Sequence, residues 1–295
     1  MTTGNVIRLL LLAAIWGSAF LCLRIAVPAV GVFQVTELRI LIAGIGMLAY
    51  ARMTGVDCQW GSMWKHYLVI GIINSALPFT LFAYGAEHLP SSYEVILNSS
   101  SPLFAAVFSA LWLSERLTTT KIMGLLTGAL GVAFVAGIAP PGTDLQFGIS
   151  VAACLAGAGC YGLAGVYIRK FTPDVKPAAM AGCSQMMAAV VMAPALATMP
   201  SAEAFTLPVI AALFTLSLLC SGAAYLLYLR LLADAGPSKA LSVTFLMPVF
   251  GMFWGALLLD ETVTPGMIGG CALIVAGTAC VLGFVRKSGA AQATA

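Results

Sequence analysis

Charge is what this sequence has least of. Asp, Glu, Lys and Arg make up 8% of its 295 residues, against roughly a quarter in a soluble globular domain. So few charges cannot cover a folded chain of this size in water, which excludes a soluble enzyme or binding domain. Histidine is scarcer still: His66 and His88 are the only two, and they fall at opposite ends of one apolar stretch. No acid pair or His/Asp/Cys cluster has catalytic spacing, so no catalytic residues are assigned. The eight cysteines include no C-x-x-C pair, which leaves zinc and thioredoxin-like readings without support. Seven of them lie inside apolar runs, where Cys acts as a small hydrophobe. Gly-x-Gly pieces follow no predicted strand, so nucleotide binding is not indicated. No cofactor and no metal is expected.

What the chain has in abundance is apolar length. Hydrophobic residues reach 61% and the mean hydropathy is +1.01. A membrane-spanning helix needs roughly 20 apolar residues. Ten windows qualify: 6–27, 32–51, 66–86, 92–112, 118–138, 148–168, 178–198, 207–229, 238–258 and 264–285. The connections are short and carry turn residues, as in Leu89-Pro90-Ser91-Ser92 and Ala235-Gly236-Pro237-Ser238. Arg8 followed by Leu9 to Ile15 resembles the start of a signal peptide. The apolar run continues through Trp16, Phe20 and Leu23 without a small-x-small site, so it reads as a retained first helix. The expected fold class is an all-α integral membrane protein of ten transmembrane helices.

The basic residues orient these spans. With the N-terminus in the cytoplasm, Arg8, Arg52, Lys65, Arg116, Lys121, Arg169, Lys170, Lys176, Arg230, Lys239, Arg286 and Lys287 all fall on the cytoplasmic side, twelve of fourteen. The opposite loops carry only acids: Glu87, Asp144, Glu203, Asp260 and Glu261. Nine or eleven helices would break this alternation. The expected location is the inner membrane, multi-pass, with both termini cytoplasmic.

The chain also repeats itself. At an offset of 146, Ser92 meets Ser238, Pro102 meets Pro248, Phe104 meets Phe250, Glu115 meets Glu261 and Thr118 meets Thr264. Gly124, Gly131 and Gly137 meet Gly270, Gly277 and Gly283 at the same offset of 146. At an offset of 145, Trp16-Gly17 meets Tyr161-Gly162 and Arg24 meets Arg169. Residues 1–140 and 141–287 thus form two five-helix repeats, with 288–295 as a disordered tail. Five is odd, so the second repeat enters the membrane inverted. Inverted repeats place a site near the midplane between the halves and lend themselves to alternating access. This favours a carrier over a receptor or an enzyme.

Several of these residues also carry a family likeness. The Glu115-Arg116-Leu117 turn after Pro102-Leu103-Phe104, its echo in Pro248 and Asp260-Glu261-Thr262, the Trp16-Gly17-Ser18-Ala19-Phe20 start and Glu37-Leu38-Arg39 resemble the EamA-type branch of the drug/metabolite transporter superfamily. The resemblance covers nearly the whole chain. It implies a ten-helix, two-repeat carrier, often an exporter of amino acids or similar metabolites. The second half departs from the pattern: its helices lack an intramembrane acid, and Asp260 stands where the first half has Ser114.

An ionisable residue inside a membrane costs roughly 2.5–3.5 kcal/mol on insertion scales and wants a reason. Glu37 and Arg39 are two apart on one helix and cannot face each other. Arg39 therefore needs another partner, for which Glu94 is a candidate. The alternatives are an outer gate or substrate-carboxylate clamp on one hand and a buried structural pair on the other. Arg24 is explained by snorkelling. Glu94, Asn98 and Ser101 share one face of the fourth helix, lining either a cavity or a helix contact. Asn74, Ser75 and Thr80 flank Pro78 on the third helix. Ser217, Ser221, Tyr225 and Tyr228 run along the eighth. Trp16 and Tyr161 occupy equivalent mid-helix positions, facing the centre or packing. Trp60 and Trp64 read as interfacial belt residues. The expected substrate wall is Trp16, Tyr84, Glu94, Asn98, Tyr161, Tyr225 and Ser242.

The reading is a secondary carrier moving small metabolites by alternating access, an exporter of amino acids or similar zwitterions. A carrier for another solute class, such as a drug or sugar derivative, is the alternative. A channel or membrane-embedded enzyme has less in its favour. Glu37 and Glu94 both sit towards the acidic face, which favours facilitated exchange over a proton relay. The expected partners are a small-molecule solute and the lipid bilayer, with no nucleic acid, and a monomer suffices.

Overall fold

The computed structural model describes residues 2–137, 145–236 and 240–284. Among them there is no strand. Ten helices follow one another, as the windows of apolar residues predict. They are α1 (Thr3–Val30), α2 (Val32–Met53), α3 (Trp60–His88), α4 (Ser91–Trp112) and α5 (Thr119–Gly137). The second five are α6 (Leu145–Phe171), α7 (Pro177–Thr198), α8 (Leu207–Phe214, continued by Thr215–Ala223 and Ala224–Ala235), α9 (Val243–Leu259) and α10 (Pro265–Val281). Eight are long and apolar enough to cross a bilayer. The two shorter ones hold 17 residues each, about 25 Å of helix. The repeat boundary near 140, the last three basic residues of the sequence (Lys239, Arg286 and Lys287) and the tail 288–295 lie outside the described residues.

Near the helix ends, side-chain bonds join ends that the charge pattern assigns to the same face. Arg8 of α1 reaches Asp234 of α8, and Arg169 of α6 reaches Glu115 beyond α4. At the opposite end Tyr84 of α3 donates to Gln146 of α6, and Gln34 of α2 donates to Thr198 of α7. The basic and acidic faces are therefore real ends of the bundle.

The packing has the symmetry that an inverted repeat demands. The main pairings are α1 with α9, α4 with α6, α3 with α6, α1 with α8, α2 with α7 and α5 with α10. Exchanging helix n with helix n+5 turns this set into itself. The glycines show the same exchange atom by atom. A Cβ on Gly124 would lie 2.7 Å from the carbonyl oxygen of Gly277, and one on Gly131 would lie 2.8 Å from that of Gly270. Gly124 and Gly270 are repeat mates, as are Gly131 and Gly277, so each contact is the image of the other. Likewise Gly17 abuts Phe250 and Gly251, while Gly162 abuts Phe104 and Ala105. Close backbone approach by small residues is how helices associate where lipid removes the hydrophobic drive.

Three helices are interrupted midway. In α3 the stretch Ile72–Ala76 is π-helical and leads into Pro78. In α8 the equivalent stretch Thr215–Ala223 is π-helical too. In α4 the α-helix stops at Asn98 and restarts at Ser101. Pro102 has no N–H and cannot continue the ladder. The serines there answer the loosened carbonyls: Ser99 Oγ donates to Val95, Ser100 Oγ to Leu97 and Ser101 Oγ to Asn98. Much of the Asn98–Ser101 polarity thus serves the helix break.

The repeated Leu-x-Glu frame builds one turn twice. Ser114 and Asp260 both take left-handed backbone, φ 55° and 53°. The N–H of Glu115 then closes on the carbonyl of Ser109, and that of Glu261 on Gly255, six residues back in each case. Thr118 and Thr264 cap the helices that follow, accepting from the N–H of Lys121 and Met267.

Candidate functional site: a cavity between the halves

The interrupted helices converge on a cavity of about 590 Å³. Its size suits a small solute. The wall draws on α1, α2, α3 and α4 of the first half and on α6, α7, α8 and α9 of the second. Gly165, Ile168, Met180, Leu241 and Leu282 carry it to the basic face. At the other end it stops at Leu23, Phe79 and Phe82. An aromatic floor lies there: Phe20 meets Phe82 edge-on at 5.4 Å, and Phe82 stacks on Tyr161 at 6.0 Å.

Arg39 sits at this floor. Its guanidinium lies 3.7 Å from the centroid of Phe79, and Nε donates to Ser221 Oγ at 3.2 Å. It makes no salt bridge among the described residues. The expected pairing with Glu94 is therefore not present. Glu94 is wholly buried behind the wall, where its only hydrogen bond among the described residues is from Cys154 Sγ to Oε1. Arg39 is thus a buried cation on the cavity wall with no anionic partner among the described residues, an arrangement that costs free energy unless the charge is compensated.

Of the seven expected wall residues, the structure brings together Trp16, Asn98, Tyr161 and Tyr225. Tyr84, Glu94 and Ser242 stand off the wall. Tyr84 points past the floor to Gln146 near the acidic face, and Ser242 precedes α9 as its N-cap. Glu37 is buried at 1% exposure, also off the wall, and its Oε2 has no partner among the described residues. Trp16 and Tyr161 do not stack on each other. Trp16 packs on Tyr228 at 5.6 Å and donates to the carbonyl of Cys220, one of those in the π-helical stretch of α8. Arg24 turns back to the carbonyls of Ala86 and Glu87 at the end of α3, as snorkelling predicts.

Sequence reasoning missed Gln185. It lies on the wall, 7% exposed, with Oε1 lacking a hydrogen-bond partner among the described residues. Asn98 Oδ1 is in the same condition. Gln185 is the lone amide in the seventh apolar window, and at the offset of 146 it stands opposite Arg39; both signals were there to read.

The two Leu-x-Glu turns differ in what their carboxylates hold. Glu261 accepts from the backbone N–H of Ser91 at 2.7 Å and of Ser92 at 3.0 Å, and from both serine hydroxyls. It thereby caps α4 and ties the α9–α10 turn to it across the acidic face. Hydrogen bonds to a charged group contribute about 1.5–3 kcal/mol each. Glu115 instead pairs with Arg169 at 2.6 Å and Lys121 at 3.1 Å. These hydrogen bonds hold its carboxyl below the usual carboxylate range, so the cluster is intact at neutral pH and breaks only as acid protonates it. Such exposed pairs contribute only about 0–1 kcal/mol.

A ten-helix bundle with interrupted helices around a central polar and aromatic cavity is the build of a multi-pass membrane transporter of small solutes. The chain belongs to the EamA-like transporter family, whose model matches residues 5–137 and again 147–283. It is 26% identical to the uncharacterized transporter YvbV of Bacillus subtilis, over 99% of this chain and 95% of that one. It is 24% identical to an uncharacterized transporter of Archaeoglobus fulgidus, over 95% of this chain and 98% of the other. A probable terminal-alkyne amino-acid exporter of Streptantibioticus cattleyicolor is 25% identical over 43% of each chain. A solved crystal structure shares the fold with a TM-score of 0.65 at 20% identity, covering 97% of this chain and 99% of its own. The names are those of transporters, not of enzymes.

Proposed function

We propose that the protein is a secondary carrier that exports small zwitterions, amino acids or close relatives, by alternating access. The observation that carries this reading is the buried guanidinium of Arg39 at the floor of an otherwise aromatic and amide-lined cavity. Arg39 receives the carboxylate. Asn98 Oδ1 and Gln185 Oε1 accept from the ammonium group. Trp16, Tyr161 and Tyr225 enclose the apolar part of the solute. Tyr84, Glu94 and Ser242 then act from outside the wall, and Glu37 neither gates nor pairs with Arg39. The cavity's reach to the basic face supports loading from the cytoplasm, hence export, with both termini cytoplasmic in an inner membrane. Among the described residues no acid lies on the wall, which supports facilitated exchange rather than proton coupling. The protein acts as a monomer, since the cavity is completed within one chain.

The test is counterflow in proteoliposomes preloaded with single amino acids. Saturable uptake of labelled solute, driven by the preload and abolished by Arg39→Gln, is expected. Uptake of amines and sugars in preference to every carboxylate would overturn the reading.

A further inference from the structure

We propose that Glu261 is a gating residue that changes partners during transport, from the α4 N-terminus to Arg24. Three observations lead there. First, Glu115 and Glu261 are repeat mates on identical turns, so a symmetric molecule would give them equivalent partners. Second, their partners differ: Glu115 holds Arg169 on the basic face, whereas Glu261 holds Ser91 and Ser92 on the acidic face. Third, Arg169 and Arg24 are themselves repeat mates, at an offset of 145. The face to which the cavity extends is the one with the Glu–Arg pair. The face where it ends is the one where the carboxylate caps a helix and Arg24 rests on the carbonyls of Ala86 and Glu87.

When two inverted halves exchange conformations, each end adopts the arrangement of the other. The Glu115–Arg169 pair seen here is thus the template for a Glu261–Arg24 pair when the cavity faces the acidic side. The two seats are neighbours in the chain. Arg24 rests on the carbonyls of Ala86 and Glu87 at the end of α3, Glu261 rests on Ser91 and Ser92 at the start of α4, and only Leu89 and Pro90 separate the two helices. Gly255 makes room for the closed seat, since a Cβ there would lie 2.5 Å from Glu261 Oε2. Neither seat leaves the carboxylate bare, so the gate opens without stranding a charge.

This inference rests on the alternating-access part of the proposed function, and its test needs no substrate. Leu23 ends the cavity on the acidic side and is 2% exposed. Leu23→Cys is exposed to an impermeant maleimide in right-side-out vesicles, and labelling at position 23 is read by peptide mass mapping. Glu261→Gln, and separately Ser91→Ala with Ser92→Ala, are expected to raise the labelling rate about tenfold or more. Arg24→Gln removes the open seat and is expected to lower it. A merely structural role would move all three variants the same way, and that outcome overturns the proposal. The serine double variant keeps the carboxylate and stands if Glu261→Gln does not fold. Labelling that is undetectable from outside in every variant would instead overturn alternating access itself.

Discussion

At the scale of single residues the wall combines groups whose hydrogen bonds are already spent with groups that are free. Trp16 donates to the Cys220 carbonyl, and Ser101 to that of Asn98. Asn98 Oδ1 and Gln185 Oε1 have no partner among the described residues. The free acceptors are where a solute gains most. Losing one hydrogen bond to a charged solute group costs roughly 1.5–3 kcal/mol, about a ten- to hundredfold change in affinity. Asn98→Ala is therefore expected to raise the half-saturation for counterflow by that factor while leaving the melting temperature unchanged. Trp60→Phe, outside the cavity, is expected to change neither. An unaltered half-saturation in well-folded Asn98→Ala would take Asn98 out of the solute's reach. The sequence pointed to Asn98 through its helical face, and to Trp16 and Tyr161 through the repeat. Glu94 shares that face but stands off the wall, because an i, i+4 spacing gives the face of a helix and not the depth at which the cavity ends, here at Leu23, Phe79 and Phe82.

At the scale of elements the α5–α10 pair is one of the seams between the two halves, and the one built on facing glycines. Gly124 faces Gly277 and Gly131 faces Gly270 at distances that leave no room for a side chain. Overpacking costs about 1–3 kcal/mol in an ordinary core, and here the obstacle is backbone, which cannot turn aside. Gly277→Leu is expected to lower the melting temperature measurably, whereas Gly148→Leu, with nothing within 4 Å of its Cβ direction, is expected to be tolerated. Equal melting temperatures for the two would mean that the glycine seam contributes little to holding the halves together. The matched glycines were legible as a repeat, and their mutual contact follows once the repeat is inverted. The π-helical stretches of α3 and α8 were not legible. A π turn differs from an α turn by one slipped hydrogen bond, which leaves the apolar pattern intact. Pro78 and the nearby polar residues hinted at the first of them, but no proline marks the second.

At the scale of the whole molecule, ten spans and their alternation came from apolar length and from the placement of basic residues. Reporter fusions after residues 87, 144 and 203 are expected to read as external, and one after residue 176 as cytoplasmic. A cytoplasmic signal after residue 144 would contradict the five-plus-five arrangement. Which end of the cavity is closed could not be read from the sequence. Both Leu-x-Glu turns look alike there, and only the folded chain shows which carboxylate has reached across to a helix.

That closure has a kinetic corollary. If access alternates as proposed, a protein that rests with one end tied by four hydrogen bonds to Glu261 spends little time presenting its cavity to that side. Solute arriving there meets a fraction of the molecules, and its apparent dissociation constant rises by the inverse of that fraction. Without an energy source the ratio of maximal rate to half-saturation must still be equal in the two directions. On the proposed reading the carrier is therefore expected to work at low solute concentration from the basic face and, slowly saturating, to pass a faster maximal flux when driven from the acidic one.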